Sequence, residues 1–196
     1  MNVKSRREEY SQTTREAIVR AAIERFTADG FTGASMDAIA ESARVTKGAV
    51  YHHFEDKADL FQAAFALLEE RLLANVGSGL AGIEDPWELF RAGVDRFLLE
   101  CCQEDFRRIA LEEAPAALGW SRWKEIEERY FLALLKAGLE GLAASGQIRL
   151  PQGDLAARMI LAAAGEAGTA VARAEDPGVA REQNVELVMD FVRGLR

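Results

Sequence analysis

An all-α protein is what these 196 residues describe. Ala, Leu, Glu and Arg dominate while β-branched residues are sparse, so helix propensity is high almost throughout. No stretch alternates apolar and polar residues for long enough to form a strand. The four prolines, Pro86, Pro115, Pro151 and Pro177, sit at boundaries between periodic segments rather than inside them. With 49% hydrophobic and 29% charged residues, wholesale disorder and fibrous architectures are excluded.

The helices, about nine of them, can be placed in order. Thr13 and Glu16 read as a capping box ahead of an apolar face formed by Ala17, Ile18, Ala21, Ala22 and Phe26, and Asp29-Gly30 reads as its end. Ser35 caps a short helix whose inward face is Met36, Ile39, Ala40 and Ala43. After a tight turn at Arg44-Val45, Thr46 caps a third helix through Phe54. Asp56 and Asp59 open a fourth, running to about Asn75, followed by a loose connection marked by Gly77, Gly79 and Gly82. Asp85-Pro86-Trp87-Glu88 combines an N-cap, a proline in the first turn and an early acid, a compact start signal. A shorter helix over 104–113 should stop near Pro115. A long one over 120–145 is apolar almost all round beyond Tyr130, which predicts burial on most sides. The last two helices fall at 154–174 and 177–195.

Net charge is −8, a balance that by itself argues against nucleic acid. It is unevenly spread. Residues 1–54 hold eight basic and seven acidic side chains, leaving 16 against 25 for the rest, so the first part is +1 and the second −9. No apolar run reaches the roughly 18 residues of a bilayer span, and the polar N-terminus lacks a signal-peptide core, so a cytoplasmic protein off the membrane is expected. Cys101 and Cys102 are adjacent, which is no disulfide framework. Cys101 falls on the apolar stripe of its helix, where a free thiol is a small hydrophobe; a redox switch is the sharper alternative. His52 and His53 point about 100° apart on a helix, a poor zinc pair, so neither metal nor cofactor is expected.

Residues 35–54 (SMDAIAESARVTKGAVYHHF) carry the functional signal. Two short helices joined by a three-residue turn and braced by a longer one make a helix-turn-helix, whose second helix can enter a major groove. Together with Phe26–Gly30, Tyr51-x-x-Phe54 and Lys57, this stretch resembles the N-terminal domain of the TetR family of bacterial transcriptional regulators, densely over residues 12–61. The remaining residues match only that family's architecture. The resemblance implies a DNA-binding domain over 1–54 and a ligand-binding and dimerisation bundle over 55–196. It also implies DNA contacts from Ser35, Arg44, Thr46, Lys47, Gly48, Tyr51, His52 and Lys57, with Phe54 in the core. The family usually has Gly where this chain has Arg44; if the turn keeps a positive φ, Arg there costs roughly 1 kcal/mol.

For the second part, aromatic and soft side chains exceed what a minimal bundle requires. Phe65, Trp87, Phe97, Phe106, Trp120, Trp123, Tyr130, Phe131 and Met159 are candidates to line an effector pocket, with Glu166 as its polar anchor. Each is also an ordinary core residue. The small-residue run 162–172 and the apolar face of the last helix suit a homodimer interface, for which Ala163, Ala167, Val171, Val188, Phe191 and Leu195 are the candidates. The family resemblance implies a repressor that leaves a palindromic double-stranded DNA operator on binding a small apolar or amphipathic effector. An enzyme would need a nucleophile–base pair or a metal cluster, and the only two histidines both lie in the recognition helix. A helical interaction module with no DNA role is the remaining alternative.

Overall fold

The computed structural model describes residues 6–150 and 152–195; Pro151, expected at a boundary, lies outside them. Among the described residues there is no strand. The first helix, α1 (Arg6–Gly33), already runs through Thr13, so the capping box is not its start. Glu16 instead accepts a hydrogen bond from Gln12 Nε2 at 2.9 Å and lies 3.9 Å from Arg20. Gly30 breaks α1 as expected, at φ 73° and ψ 169°, leaving one further turn.

The next two helices follow their caps. In α2 (Met36–Ser42) Ser35 Oγ accepts from Ala38 N at 3.1 Å, and in α3 (Lys47–His53) Thr46 Oγ1 accepts from Ala49 N at 3.2 Å. Between them Arg44 adopts φ 56°, the left-handed conformation that favours glycine. The departure from the family pattern therefore keeps the turn and carries a strain of about 1 kcal/mol. Asp56 caps α4 (Lys57–Ser78), which leaves the head and runs into the body of the molecule.

The body begins with α5 (Pro86–Cys101), whose start matches its signal: Asp85 Oδ1 accepts from Glu88 N at 2.9 Å, with Pro86 in the first turn. The short helix expected over 104–113 takes another form. A single turn, α6 (Glu104–Phe106), passes into a π-helical stretch over Arg107–Glu113 and then α7 (Ala114–Leu118). Pro115 does not end the run; it sits in the first turn of α7, where a missing N–H is tolerated. The π-helical repeat brings residues five apart into line, and here two opposite-charge pairs have that spacing. Arg107 Nη1 lies 2.5 Å from Glu112, and Arg108 Nε lies 3.2 Å from Glu113.

After Gly119 (φ 77°) come α8 (Trp120–Ala144), α9 (Gly153–Ala172) and α10 (Pro177–Arg193), the last capped by Asp176 on Val179 N at 3.1 Å. The second half of α8 is not buried on most sides: Ala133, Leu134, Ala137 and Gly141 are exposed. Rich in alanine and glycine, α9 matches a membrane-spanning helix in length and mean hydropathy (1.3), which the sequence reading did not anticipate. It packs against α5, α8 and α10, burying Ile160, Leu161 and Val171.

Apolar burial does not divide at residue 54. One cluster runs from Ile18, Phe26 and Phe54 through Phe61, Phe65 and Leu68 of α4 to Phe106, Ile126 and Phe131. A second joins Phe90, Leu98, Leu139, Ile160 and Val188, and Phe97 packs against both.

Candidate nucleic-acid interface and effector cavity

In the head, the inward residues Ile39, Ala40 and Val50 are buried, which turns the opposite side of α3 to solvent. Ser35, Arg44, Thr46, Lys47, Gly48, Tyr51 and His52 are all exposed. Ser35, Lys47, Tyr51 and Lys57 border one shallow depression. Lys47 Nζ lies 2.7 Å from Asp37 and 5.9 Å from the centre of the Tyr51 ring, and the Asp37 carboxylate raises the lysine above its ordinary pKa. Gly48 is not demanded by packing, since the nearest atom to an added Cβ is Thr46 Oγ1 at 3.9 Å. His53 is half-buried, and burial, then the neighbouring His52 and Arg15, lower its pKa below the ordinary imidazole value.

Lys57 is placed differently from the other basic candidates. Its ammonium donates to the carbonyls of Ala34 (3.0 Å) and Thr32 (3.3 Å) and lies 4.8 Å from the Phe31 ring centre. It is a brace between the start of α4 and the α1–α2 junction. Phe31 in turn packs edge-on against Phe61 at 5.1 Å.

A second brace was not foreseen from sequence. The break at Gly30 deprives Phe31 N–H of a helical acceptor, and Glu113 Oε2, 82 residues later, accepts it at 2.5 Å. A Cβ at Gly30 would lie 2.7 Å from Glu113 Oε1 and 2.8 Å from Arg108 Nη2. Glycine is thus required there twice, by φ and by close approach. The π-helical stretch of the body is in this way hydrogen-bonded to the end of the head's first helix.

The cavity of the body, about 360 Å³, lies between α5, α8 and α9 under the α4–α5 connection. Of the ten pocket candidates only Phe97 and Phe131 line it. Phe65 and Phe106 are buried in the core, and Trp123 and Tyr130 pack against that core. Tyr130 Oη is 3.0 Å from Glu70, and burial plus that bond push its pKa up to about 12. Trp87 packs on the second cluster under Arg193. Trp120 (67% exposed), Met159 (64%) and Glu166 face solvent. Bulky aromatics fill space; the open space lies at Gly93 and Gly141, while Gly138, which also borders the cavity, makes room for the Phe90 ring. Three mid-helix glycines among strong helix formers were the legible signal.

Among the six interface candidates, Ala167, Val171 and Val188 are buried within the chain itself, Ala163 and Leu195 are half-buried, and Phe191 is exposed. Beside Phe191, the outward apolar residues of the two last helices are Leu155 and Met159 on α9 and Val179 and Leu187 on α10, each more than half exposed. Small residues ring α9, so periodicity alone did not tell its inner side from its outer side.

Among the described residues one carboxyl group is buried: Glu69 on α4 is 3% exposed. Burial, and then the charge of Glu127, push its pKa well above the ordinary carboxylate value. Cys101 is fully buried with an added Cβ on Gly168 only 2.6 Å from its Sγ, and burial pushes its thiol up, the opposite of what a redox cysteine needs. Because folded Glu69 holds its proton to higher pH than the unfolded chain does, its contribution to stability is full below the unfolded value of about 4.3 and is lost as pH rises through the folded value. Glu69→Gln should therefore raise the melting temperature at pH 7.5, by about 3 °C per kcal/mol of desolvation removed, and leave it little changed at pH 4. Thermal melts of both proteins across that range check this; parallel curves would refute it.

These features define a helix-turn-helix protein whose reading head is built onto a helical body with an apolar cavity. Residues 18–64 match the family model "Bacterial regulatory proteins, tetR family", and residues 87–195 match "Tetracyclin repressor-like, C-terminal domain". The chain belongs to the TetR family. Among curated proteins it is 42% identical over 78 residues to the transcriptional regulator SrpR of Pseudomonas putida, covering 40% of this chain and 36% of that one. It is 24% identical over 155 residues to the Tn10 TetC protein of Escherichia coli, covering 79% and 78%. A solved TetR-family regulator from Pectobacterium atrosepticum matches 98% of this chain and 97% of its own, at 28% identity and a TM-score of 0.75. AibR, solved with isovaleryl coenzyme A and operator DNA, shares the fold at 22% identity and a TM-score of 0.63, over 90% and 96% of the chains.

Proposed function

We propose that the protein is a homodimeric transcriptional repressor, resident in the cytoplasm, that leaves a palindromic operator when an effector enters the body. The observation that carries this reading is the exposed face of the head, where Arg44, Thr46, Lys47, Gly48, Tyr51 and His52 face solvent while Ile39, Ala40 and Val50 behind them are buried. Ser35, Lys47 and Tyr51 border one depression there and would meet phosphates or base edges. Lys57, tied to two carbonyls, would hold the head's geometry and offer its remaining proton to a phosphate.

A recognition helix of seven residues cannot supply a repressor's affinity alone, and a two-fold dimer reads two half-sites. The outward residues Leu155, Met159, Leu187 and Phe191 would form the dimer contact by joining α9 and α10 of two copies. The −9 charge of residues 55–196 keeps the body off the phosphates, so affinity rests on a few placed contacts. The effector acts by population shift: it must favour the spacing of heads that does not fit the operator. No catalytic role is assigned.

Salt titration tests this reading. With two or three cations per protomer on phosphates, log affinity of the dimer for a palindromic operator should fall with log salt at a slope of about −4 to −5. A flat dependence, or equal affinity for a single half-site, would sink it.

A further inference from the structure

The cavity's lining also specifies the chemistry of what enters it, an inference that rests on the effector reading above. The α5 wall is the stripe Leu89, Phe90, Gly93, Val94, Phe97, and the α8 wall is Phe131, Leu134, Leu135, Gly138, Gly141. Both stripes repeat at three and four residues; Gly93 is half-buried in the middle of the α5 stripe, and Gly141 ends the α8 stripe at the exposed edge of the cavity. An added Cβ meets nothing within 4 Å at Gly93 or at Gly141, whereas at Gly138 it would meet the Phe90 ring at 2.8 Å. A glycine inside a helix is less stable than alanine by up to about 1 kcal/mol. Two such positions facing open space in one cavity are explained by the space, not by packing.

Charge on the lining is one-sided. Among the described lining residues Glu84, on the connection before α5, is the single ionisable side chain, and no Lys or Arg is present. Phosphates and carboxylates are held by Arg and Lys, so a coenzyme A thioester or a fatty carboxylate has no partner here. At about 30 Å³ per water-sized group, 360 Å³ admits roughly a dozen such groups.

We propose that the cavity takes a neutral or cationic apolar molecule of about that size, its hydrocarbon between α5 and α8 and any amine or ammonium at Glu84. Gly93 and Gly141 determine its length of entry and Glu84 its sign of charge.

The neutral fluorophore N-phenyl-1-naphthylamine serves as probe, with decyltrimethylammonium and decanoate as competitors for it on the full-length protein. Fluorescence should rise on binding, and the ammonium should displace the probe at a concentration about tenfold below that of the carboxylate. Glu84→Gln should remove most of that difference without weakening the probe itself. Gly93→Leu and Gly141→Leu should each reduce probe uptake at least about tenfold while the melting temperature holds or rises. Equal displacement by the two competitors, or probe uptake unchanged in both leucine variants, overturns the proposal with operator binding intact. Failure of the unliganded protein to retard operator DNA is the separate failure of the regulator reading.

Discussion

Alanine at both Lys47 and Tyr51 should lower operator affinity about a thousandfold while leaving the dimer and its melting temperature in place. Both side chains are exposed and neither belongs to the core, so the folded protein loses the Lys47–Asp37 pair and the loose Lys47–Tyr51 ring contact. Exposed pairs of this kind contribute at most about 1 kcal/mol. On DNA the account is different. Each side chain would act in both half-sites, giving four contacts per dimer, and at about 1 kcal/mol each their loss is about 4 kcal/mol. Retardation of the operator by the double variant, beside size-exclusion chromatography, measures both halves of the claim. Asp37→Asn moves the opposite way. It releases Lys47 from a carboxylate 2.7 Å distant and removes a negative charge from the surface proposed to meet phosphates, so binding should tighten. Tight binding by the double alanine variant would remove α3 from the role of recognition helix.

What could be read from the sequence follows the range of the interactions involved. Ser35, Thr46 and Asp85 cap the helices they were expected to cap, because an N-cap bond spans three residues. The turn at Arg44 was likewise local, and its φ of 56° follows from the position rather than from the residue that fills it. Features built from distant segments were not legible. The effector cavity was sought in aromatic residues, yet Phe65 and Phe106 close the core, and the open space is made by side chains that are absent at Gly93 and Gly141. On α9 the outer side is marked only by the sparse row Asp154, Arg158 and Glu166 among alanines and glycines, and Ala167 and Val171 turned inward while Leu155 and Met159 turned out. Glu69 stood in the run Glu69-Glu70-Arg71, which reads as solvated surface until packing buries its first member.

Glu113 is the furthest from sequence legibility, and its removal should have the largest effect on the fold. Truncation to alanine leaves Phe31 N–H without an acceptor in a half-buried site and strips Arg108 of a partner 3.2 Å away. An orphaned donor of this kind costs about 2 kcal/mol, which for a chain of this length lowers the melting temperature by about 6 °C. Glu113→Gln separates the two losses: an amide oxygen still accepts from Phe31 N–H while the charge opposite Arg108 is gone, so it should fall between the alanine variant and the original. Amide exchange supplies the local readout. Protection of Phe31 should drop in the alanine variant, while that of Ala49, whose N–H is capped by Thr46, should not. Since this bond ties the π-helical stretch of the body to the end of α1, its loss should also loosen the hold of body on head, so that the operator affinity of the alanine variant becomes less responsive to any molecule filling the cavity. An unchanged melting temperature together with unchanged Phe31 protection would show that the contact carries no energy, and the path from body to head would then run through α4 and the apolar packing of α1 on Phe106 and Ile109.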